Sequence, residues 1–230
     1  MAEKTYREEF AGKPLTIKVG KLAQQANGSV LVQYGETTVL ATVVLGNVVP
    51  KDYFPLSVDF EERYYAAGKI KNSKWLKREG RPTEEAILTG RVIDRSIRPR
   101  FDHRIRNELQ CVATVLTFDK TNDADMPAVF AVSAALMISD IPYSGPVSSV
   151  RVGRIPSKDS GQASFVINPT YTERLESDLD IIVSGTSTRI NMIEAGAKIV
   201  PENVMGDAIE AGFKALQELN ELQKKIASEI

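Results

Sequence analysis

The 230-residue sequence contains one cysteine, Cys111, one histidine, His103, and one tryptophan, Trp75. A single cysteine excludes an internal disulfide framework and makes a reducing cytoplasm the expected compartment. One histidine with one cysteine excludes the usual zinc sites, which draw several ligands from those two residue types. The same scarcity removes Ser-His-Asp and Cys-His triads unless His103 is the base. No run approaches the roughly 18–20 consecutive apolar residues of a membrane span, so no membrane partner is expected. Met1 to Phe10 lack the apolar stretch of a secretory signal. Net charge is nearly absent too, at −1, and that average speaks against a polyanionic ligand.

The average conceals a strong asymmetry. The 44 residues from Arg63 to Arg106 carry 13 Lys and Arg against 5 Asp and Glu, a local net of +8. The other 186 residues hold 16 basic and 25 acidic side chains, a net of −9. Solvated surfaces intersperse both signs, whereas a concentrated basic face suits a phosphate-rich ligand.

The length allows one or two domains. Alternating, β-branched stretches predict strands at Leu15–Gly20, Ser29–Tyr34, Thr37–Leu45 and Phe54–Phe60, with a tight turn at Gly35-Glu36. Ala67-Gly68 opens a polar, basic loop that runs to Pro82. Pro82 and Thr83 start a helix that Pro99 stops after Arg98. Leu109–Phe118 reads as a strand and Met126–Ile138 as a helix apolar nearly all round, hence buried. The turn-rich stretch from Ile141-Pro142 to Gly145-Pro146 is the expected boundary, giving lobes 1–145 and 146–230. Beyond it lie strands at Ser149–Ile155, Ala163–Ile167, Ile181–Gly185 and Ile190–Ala195, then a helix from Glu202 to about Ile226. Strands and helices in mixed order, without regular βαβ alternation, indicate an α+β fold.

At 100° per residue Arg91, Arg95 and Arg98 fall within about 60° of one another, opposite Ala86, Gly90, Ile93 and Ile97. Three guanidinium groups so placed call for partner carboxylates, such as Asp94 or those of a neighbouring subunit, or for an external polyanion. A solvated surface is the third reading. The preceding loop sets Trp75 among Lys69, Lys71, Lys74, Lys77, Arg78 and Arg81, the chemistry of single-stranded nucleic-acid binding: cations hold the backbone while an aromatic stacks on a base. The alternative is that Trp75 anchors the loop into the core.

Three motifs carry a family resemblance. Tyr64-Tyr65-Ala66-Ala67-Gly68-Lys69-Ile70, Lys77-Arg78-Glu79-Gly80-Arg81-Pro82-Thr83-Glu84 and Arg91-Val92-Ile93-Asp94-Arg95-Ser96-Ile97-Arg98-Pro99 resemble the first RNase PH-like core of the bacterial polynucleotide phosphorylases. Phe54-Pro55-Leu56, Ser133-Ala134-Ala135-Leu136 and Leu179-Asp180-Ile181-Ile182-Val183-Ser184-Gly185-Thr186 support it, in the family's order from about residue 8 to 225. The resemblance implies an RNase PH fold, with an N-terminal lobe like ribosomal protein S5 domain 2 and a smaller C-terminal lobe, assembled with a second core into a homo-oligomeric six-domain ring. It also implies 3′-to-5′ phosphorolysis of RNA in mRNA degradation, using inorganic phosphate and magnesium and releasing nucleoside diphosphates. The family's channel loop falls on Trp75, Leu76, Lys77 and Arg78. Leu76 and Lys77 depart from its two aromatics and two arginines, which weakens the stacking and leaves the charge. Single-stranded RNA is thus the expected partner of Trp75, Lys77, Arg78, Arg81, Arg91, Arg95 and Arg98.

In the family, phosphate and metal bind in the second core, on a serine-rich loop and a pair of aspartates six residues apart. The loop here, Asn122-Asp123-Ala124-Asp125-Met126-Pro127, has no serine, and its carboxylates would repel phosphate. Asp178 falls at one aspartate position, with Thr172 six residues earlier where the other would be. Asp178 and Asp180 are therefore only weak candidates for catalysis or metal binding, and strand-edge carboxylates are the favoured reading. The expectation is a core that binds RNA and builds the ring without its own phosphorolytic site, a piece of a longer polypeptide. The alternatives are a complete small phosphorolytic enzyme using Asp178 and Asp180, and a purely structural ring subunit.

Overall fold

The computed structural model describes residues 3–70, 80–156 and 163–230. Five strands come first: β1 (Lys4–Phe10), β2 (Lys13–Val19), β3 (Gly28–Tyr34), β4 (Thr37–Val48) and β5 (Leu56–Glu62). A 3-10 turn at Tyr64–Ala67 precedes α1 (Glu84–Ile97), β6 (Asn107–Thr117) and α2 (Asp125–Met137). Then follow β7 (Ser148–Pro156), β8 (Ala163–Ile167), α3 (Tyr171–Glu176), β9 (Leu179–Gly185), β10 (Ile190–Ala197) and α4 (Glu202–Glu229).

The first six strands form one sheet, ordered β1-β2-β3-β4-β6-β5, and the other four a second, ordered β10-β9-β7-β8. Neighbours are antiparallel except β5 and β6, which run parallel because α1 lies in the connection between them. The α+β expectation therefore holds with one βαβ unit inside it.

Alternation sets the buried face of the first sheet: Leu15, Ile17 and Val19, then Val30, Val32 and Tyr34, then Val39, Ala41 and Val43. Helix α2 lies against β3 and β4 on this face and against β7 and α4 on its other side, so the two sheets share one interior. From Ala128 to Leu136 no α2 residue is more than 2% exposed, the all-round burial its composition predicts. The close approach requires Gly28, where a Cβ would stand 2.2 Å from the Ala135 carbonyl oxygen. Helix α4 crosses the second sheet, and a Cβ on Gly212 would lie 2.8 Å from Val152 Cγ2.

Between the sheets, Tyr143 packs on Phe101 with ring centroids 5.1 Å apart, and Val147 N–H donates to Ser133 Oγ at 2.9 Å. Ser96 Oγ donates to Ser184 Oγ at 3.0 Å and Asn191 Nδ2 to the Ser96 carbonyl at 2.7 Å, tying α1 to β9 and β10.

Two elements depart from the sequence reading. β1 is a strand whose only buried side chains are Tyr6 and Phe10, and its Lys, Arg and Glu residues hide the alternation. α3 is short but well capped: Thr170 Oγ1 accepts the Glu173 N–H at 3.3 Å and Glu173 Oε2 accepts the Thr170 N–H at 2.7 Å. Among the described residues no helix is long and apolar enough to cross a membrane.

Candidate nucleic-acid interface

Helix α1 starts at the predicted cap. Thr83 Oγ1 accepts the Ala86 N–H at 3.0 Å and donates to Glu62 Oε2, also at 3.0 Å. Glu84 and Glu85 sit in the first turn, where the helix dipole favours negative charge. Ala86, Gly90, Ile93 and Ile97 are buried against β5 and the sheets, as the helical period requires, together with Val92 and Ser96. The opposite face carries the arginines.

The three arginines do not act alike. Arg91 is exposed and has no carboxylate partner among the described residues. Arg95 is half-exposed and reaches Glu194 of β10 at 3.3 Å, a surface pair of the kind worth about 0–1 kcal/mol. Arg98 is turned inward. Its Nε and Nη2 fork onto Asp94 at 3.1 and 2.7 Å, and Nη2 and Nη1 also donate to the Leu56 and Phe54 carbonyls at 3.2 and 3.4 Å. The guanidinium lies 5.8 Å from the Phe54 ring centroid. Of the readings open for the three arginines, Arg98 follows the partner-carboxylate one, because Asp94 one turn earlier and the Phe54 and Leu56 carbonyls at the start of β5 engage it, which leaves Arg91 and Arg95 as the more exposed pair.

Trp75, Lys77 and Arg78 lie in residues 71–79, outside the described residues. Their flanks are described: Tyr64 and Tyr65 are 48% and 57% exposed, and Ile70 is 92% exposed. Phe118 N–H donates to the Ala66 carbonyl at 2.9 Å, holding the turn on the end of β6. Arg81 is exposed and has no ion pair among the described residues. The bond from Thr83 to Glu62 brings the chain on either side of this segment to one end of the sheet.

At the second sheet, Asp178 Oδ2 is bound by Arg154 Nη1 at 2.6 Å. Asp180 accepts Arg151 Nη1 at 2.7 and 2.9 Å and Arg174 Nη2 at 3.2 Å. The loop before α2 joins the same network. Asp125 accepts Arg151 Nη2, and Asp123 Oδ2 accepts Arg174 Nη1 at 2.7 Å and stands 3.8 Å from Arg151 Nη2. Burial, with Asp123 beside it, pushes the Asp125 carboxyl above the usual carboxylate range despite Arg151. Burial also opposes the Arg151 charge, yet Asp125 and Asp180 outweigh it and hold the guanidinium protonated. Thr172 lies on the exposed first turn of α3.

The residues at this place do not fit magnesium or phosphate. Each candidate carboxylate already accepts from an arginine, and among the described residues no group of three or more His, Cys, Asp or Glu is placed to hold a metal ion. The sequence reading missed Arg151, Arg154 and Arg174. One signal was available: Arg151 stands between Val150 and Val152 in a buried strand, and a buried arginine needs carboxylates.

Residues 11–142 match the family described as "3′ exoribonuclease family, domain 1" and residues 145–215 its "domain 2". A polyribonucleotide nucleotidyltransferase of Exiguobacterium sibiricum is 48% identical over 230 residues, covering 99% of this chain and 30% of the relative. That of Halalkalibacterium halodurans is 50% identical over 224 residues, covering 96% and 31%. The crystal structure of rice (Oryza sativa) Rrp46 superposes with a TM-score of 0.74 at 15% identity, covering 94% of this chain and 95% of that one, which establishes a shared fold. The chain spans about 30% of the length of the relatives it matches.

Proposed function

Since this chain belongs to the 3′ exoribonuclease family of RNase PH fold, we propose that it is the RNA-guiding and ring-building first core of a polyribonucleotide nucleotidyltransferase, without a phosphorolytic site of its own. The carrying observation is a contrast: Arg81 and Arg91, which follow Trp75, Lys77 and Arg78 in the chain, are exposed with no carboxylate partner among the described residues, while Asp178 and Asp180 are held by arginines. Single-stranded RNA would follow the basic face, its phosphates on the cations and a base on Trp75. The parent enzyme would degrade RNA from the 3′ end with inorganic phosphate and magnesium supplied by the second core, releasing nucleoside diphosphates. A cytoplasmic setting suits the lone, buried Cys111. The division into lobes 1–145 and 146–230 is likewise proposed, supported by the change of sheet between β6 and β7.

The test is binding of labelled single-stranded oligo(A) to the chain and to the variant K77A/R78A/R81A/R91A between 50 and 200 mM salt. Each phosphate contact removed should lower the slope of log K against log salt by about 0.7. An unchanged slope and affinity would overturn the RNA reading and favour the structural ring subunit. Incubation with poly(A), phosphate and magnesium should release no ADP from the chain alone. Rapid release would instead favour the small complete enzyme.

A further inference from the structure

Among the described residues the two sheets end on four edge strands, β1, β5, β8 and β10, and three of these are guarded. β1 carries Lys4, Arg7, Glu8 and Glu9 within seven residues, β5 carries Asp59, Glu61 and Glu62, and β8 has only five residues. Charge and shortness of these kinds keep an edge from recruiting another strand. β10 has neither guard. Its eight residues hold one charged side chain, Glu194, and every residue from Ile193 to Ala197 is exposed.

One bond tells which backbone groups of β10 face outward. Lys198 N–H donates to the Asp178 carbonyl at 2.9 Å, so residue 198 turns toward β9. Successive residues of a strand turn their N–H and C=O groups to opposite sides, and the register of β10 on β9 runs without a shift from Met192 to Ala197. Gly196 and Glu194 therefore also bond toward β9, while Ile193, Ala195 and Ala197 direct their backbone groups away from it. Among the described residues nothing bonds to those outward groups. Such a row is a template for one more strand.

We propose that this edge pairs with β10 of a second copy of the chain, antiparallel about a two-fold axis at Ala195, joining two four-stranded sheets into one. In this register Ile193 faces Ala197 of the second copy and Ala195 faces Ala195. The outward groups then meet as hydrogen-bonded pairs, about six bonds in all. Glu194 faces Gly196, so no like charges stand opposite each other, and it lies diagonal to Lys198 of the second copy, within reach of a long side chain. Lys198 Nζ donates to the Ser177 carbonyl at 3.1 Å and keeps further hydrogens to give. The neighbouring registers are worse. An axis at Glu194 would set two carboxylates face to face, and one at Gly196 would set Ile193 against Ile199, whose φ of 53° takes it out of the strand. An isologous contact closes at two copies, so it is separate from the head-to-tail contacts that close a ring. It rests on no part of the RNA reading.

Sedimentation velocity of the chain from about 5 to about 200 µM should show a monomer–dimer equilibrium, and Ala195→Glu, which sets two carboxylates opposite each other at the axis, should weaken it at least about tenfold. Because the residue is exposed, the thermal midpoint of A195E should stay within about 2 °C of the parent at low concentration. Register is read by cysteine substitution, since the native Cys111 is buried. Under mild oxidation A195C should form a disulfide-linked dimer, because the axis brings residue 195 to its own copy. A197C should not, because it faces Ile193. A chain that stays monomeric throughout, an association that A195E leaves intact, or equal cross-linking by A195C and A197C would each overturn the proposal.

Discussion

The arginines of α1 and those of the second sheet are one residue type in opposite circumstances. Arg91 and Arg95 project from a helix whose other face is buried, so water solvates them, and among the described residues only Glu194 competes for one of them. Arg151 projects from the middle of β7 into the interior, where an unpaired guanidinium would be prohibitively costly, and it meets Asp125 and Asp180. Burial thus decides whether an arginine keeps its charge available to a ligand or commits it to the fold. Arg98 falls between the two. It is partly exposed, but Asp94 and two backbone carbonyls hold it.

Breaking the buried side should have the largest effect. Arg151→Ala leaves Asp125 and Asp180 without their shared cation and should cost about 3–5 kcal/mol, read from urea denaturation midpoints. A loss under about 1 kcal/mol would place the Arg151 cluster in the same class as the surface arginines. The intermediate case separates two neighbours on one helix. Arg98→Ala should destabilise by about 1–3 kcal/mol through its bonds to Asp94, Leu56 and Phe54, whereas Arg91→Ala should stay within about 0.5 kcal/mol. Equal costs would erase the distinction drawn between them. The smallest expected effect is Glu194→Ala, worth under about 1 kcal/mol in stability because the Arg95 pair is exposed. Its sharper readout is RNA affinity, which should rise two- to fivefold as Arg95 is released, and a fall would show that Glu194 orients Arg95 rather than competing for it.

Much of this was legible in the residues. The strand alternation from Leu15 to Leu45, the Thr83 cap, the buried face of α1 and the apolar circumference of α2 are local patterns, and each element formed where its period places it. The charge block was legible as well, since +8 over 44 residues needs no coordinates. β1 escaped because five of its seven residues are Lys, Thr, Arg or Glu, and α3 because six residues are too few for a periodicity to declare itself. Asp94 was legible as a candidate partner of Arg98, but the backbone contacts of Arg98 and the pairing of Asp178 and Asp180 escaped for another reason. Their partners, Leu56 and Phe54 in one case and Arg151, Arg154 and Arg174 in the other, come from distant parts of the chain.

The sequence by itself determined the class of fold, the order of its elements, the family motifs and the basic block set on an acidic body. Those follow from covalent order: periodicity, capping and local charge are properties of neighbouring residues. Only the tertiary structure decided which charges remain available. Whether a guanidinium faces water or a carboxylate depends on which strands and helices pack beside it. For Arg151 the packing of α2, β9 and α3 against β7 made that choice, and for Arg91 an exposed position with no carboxylate partner among the described residues left it open.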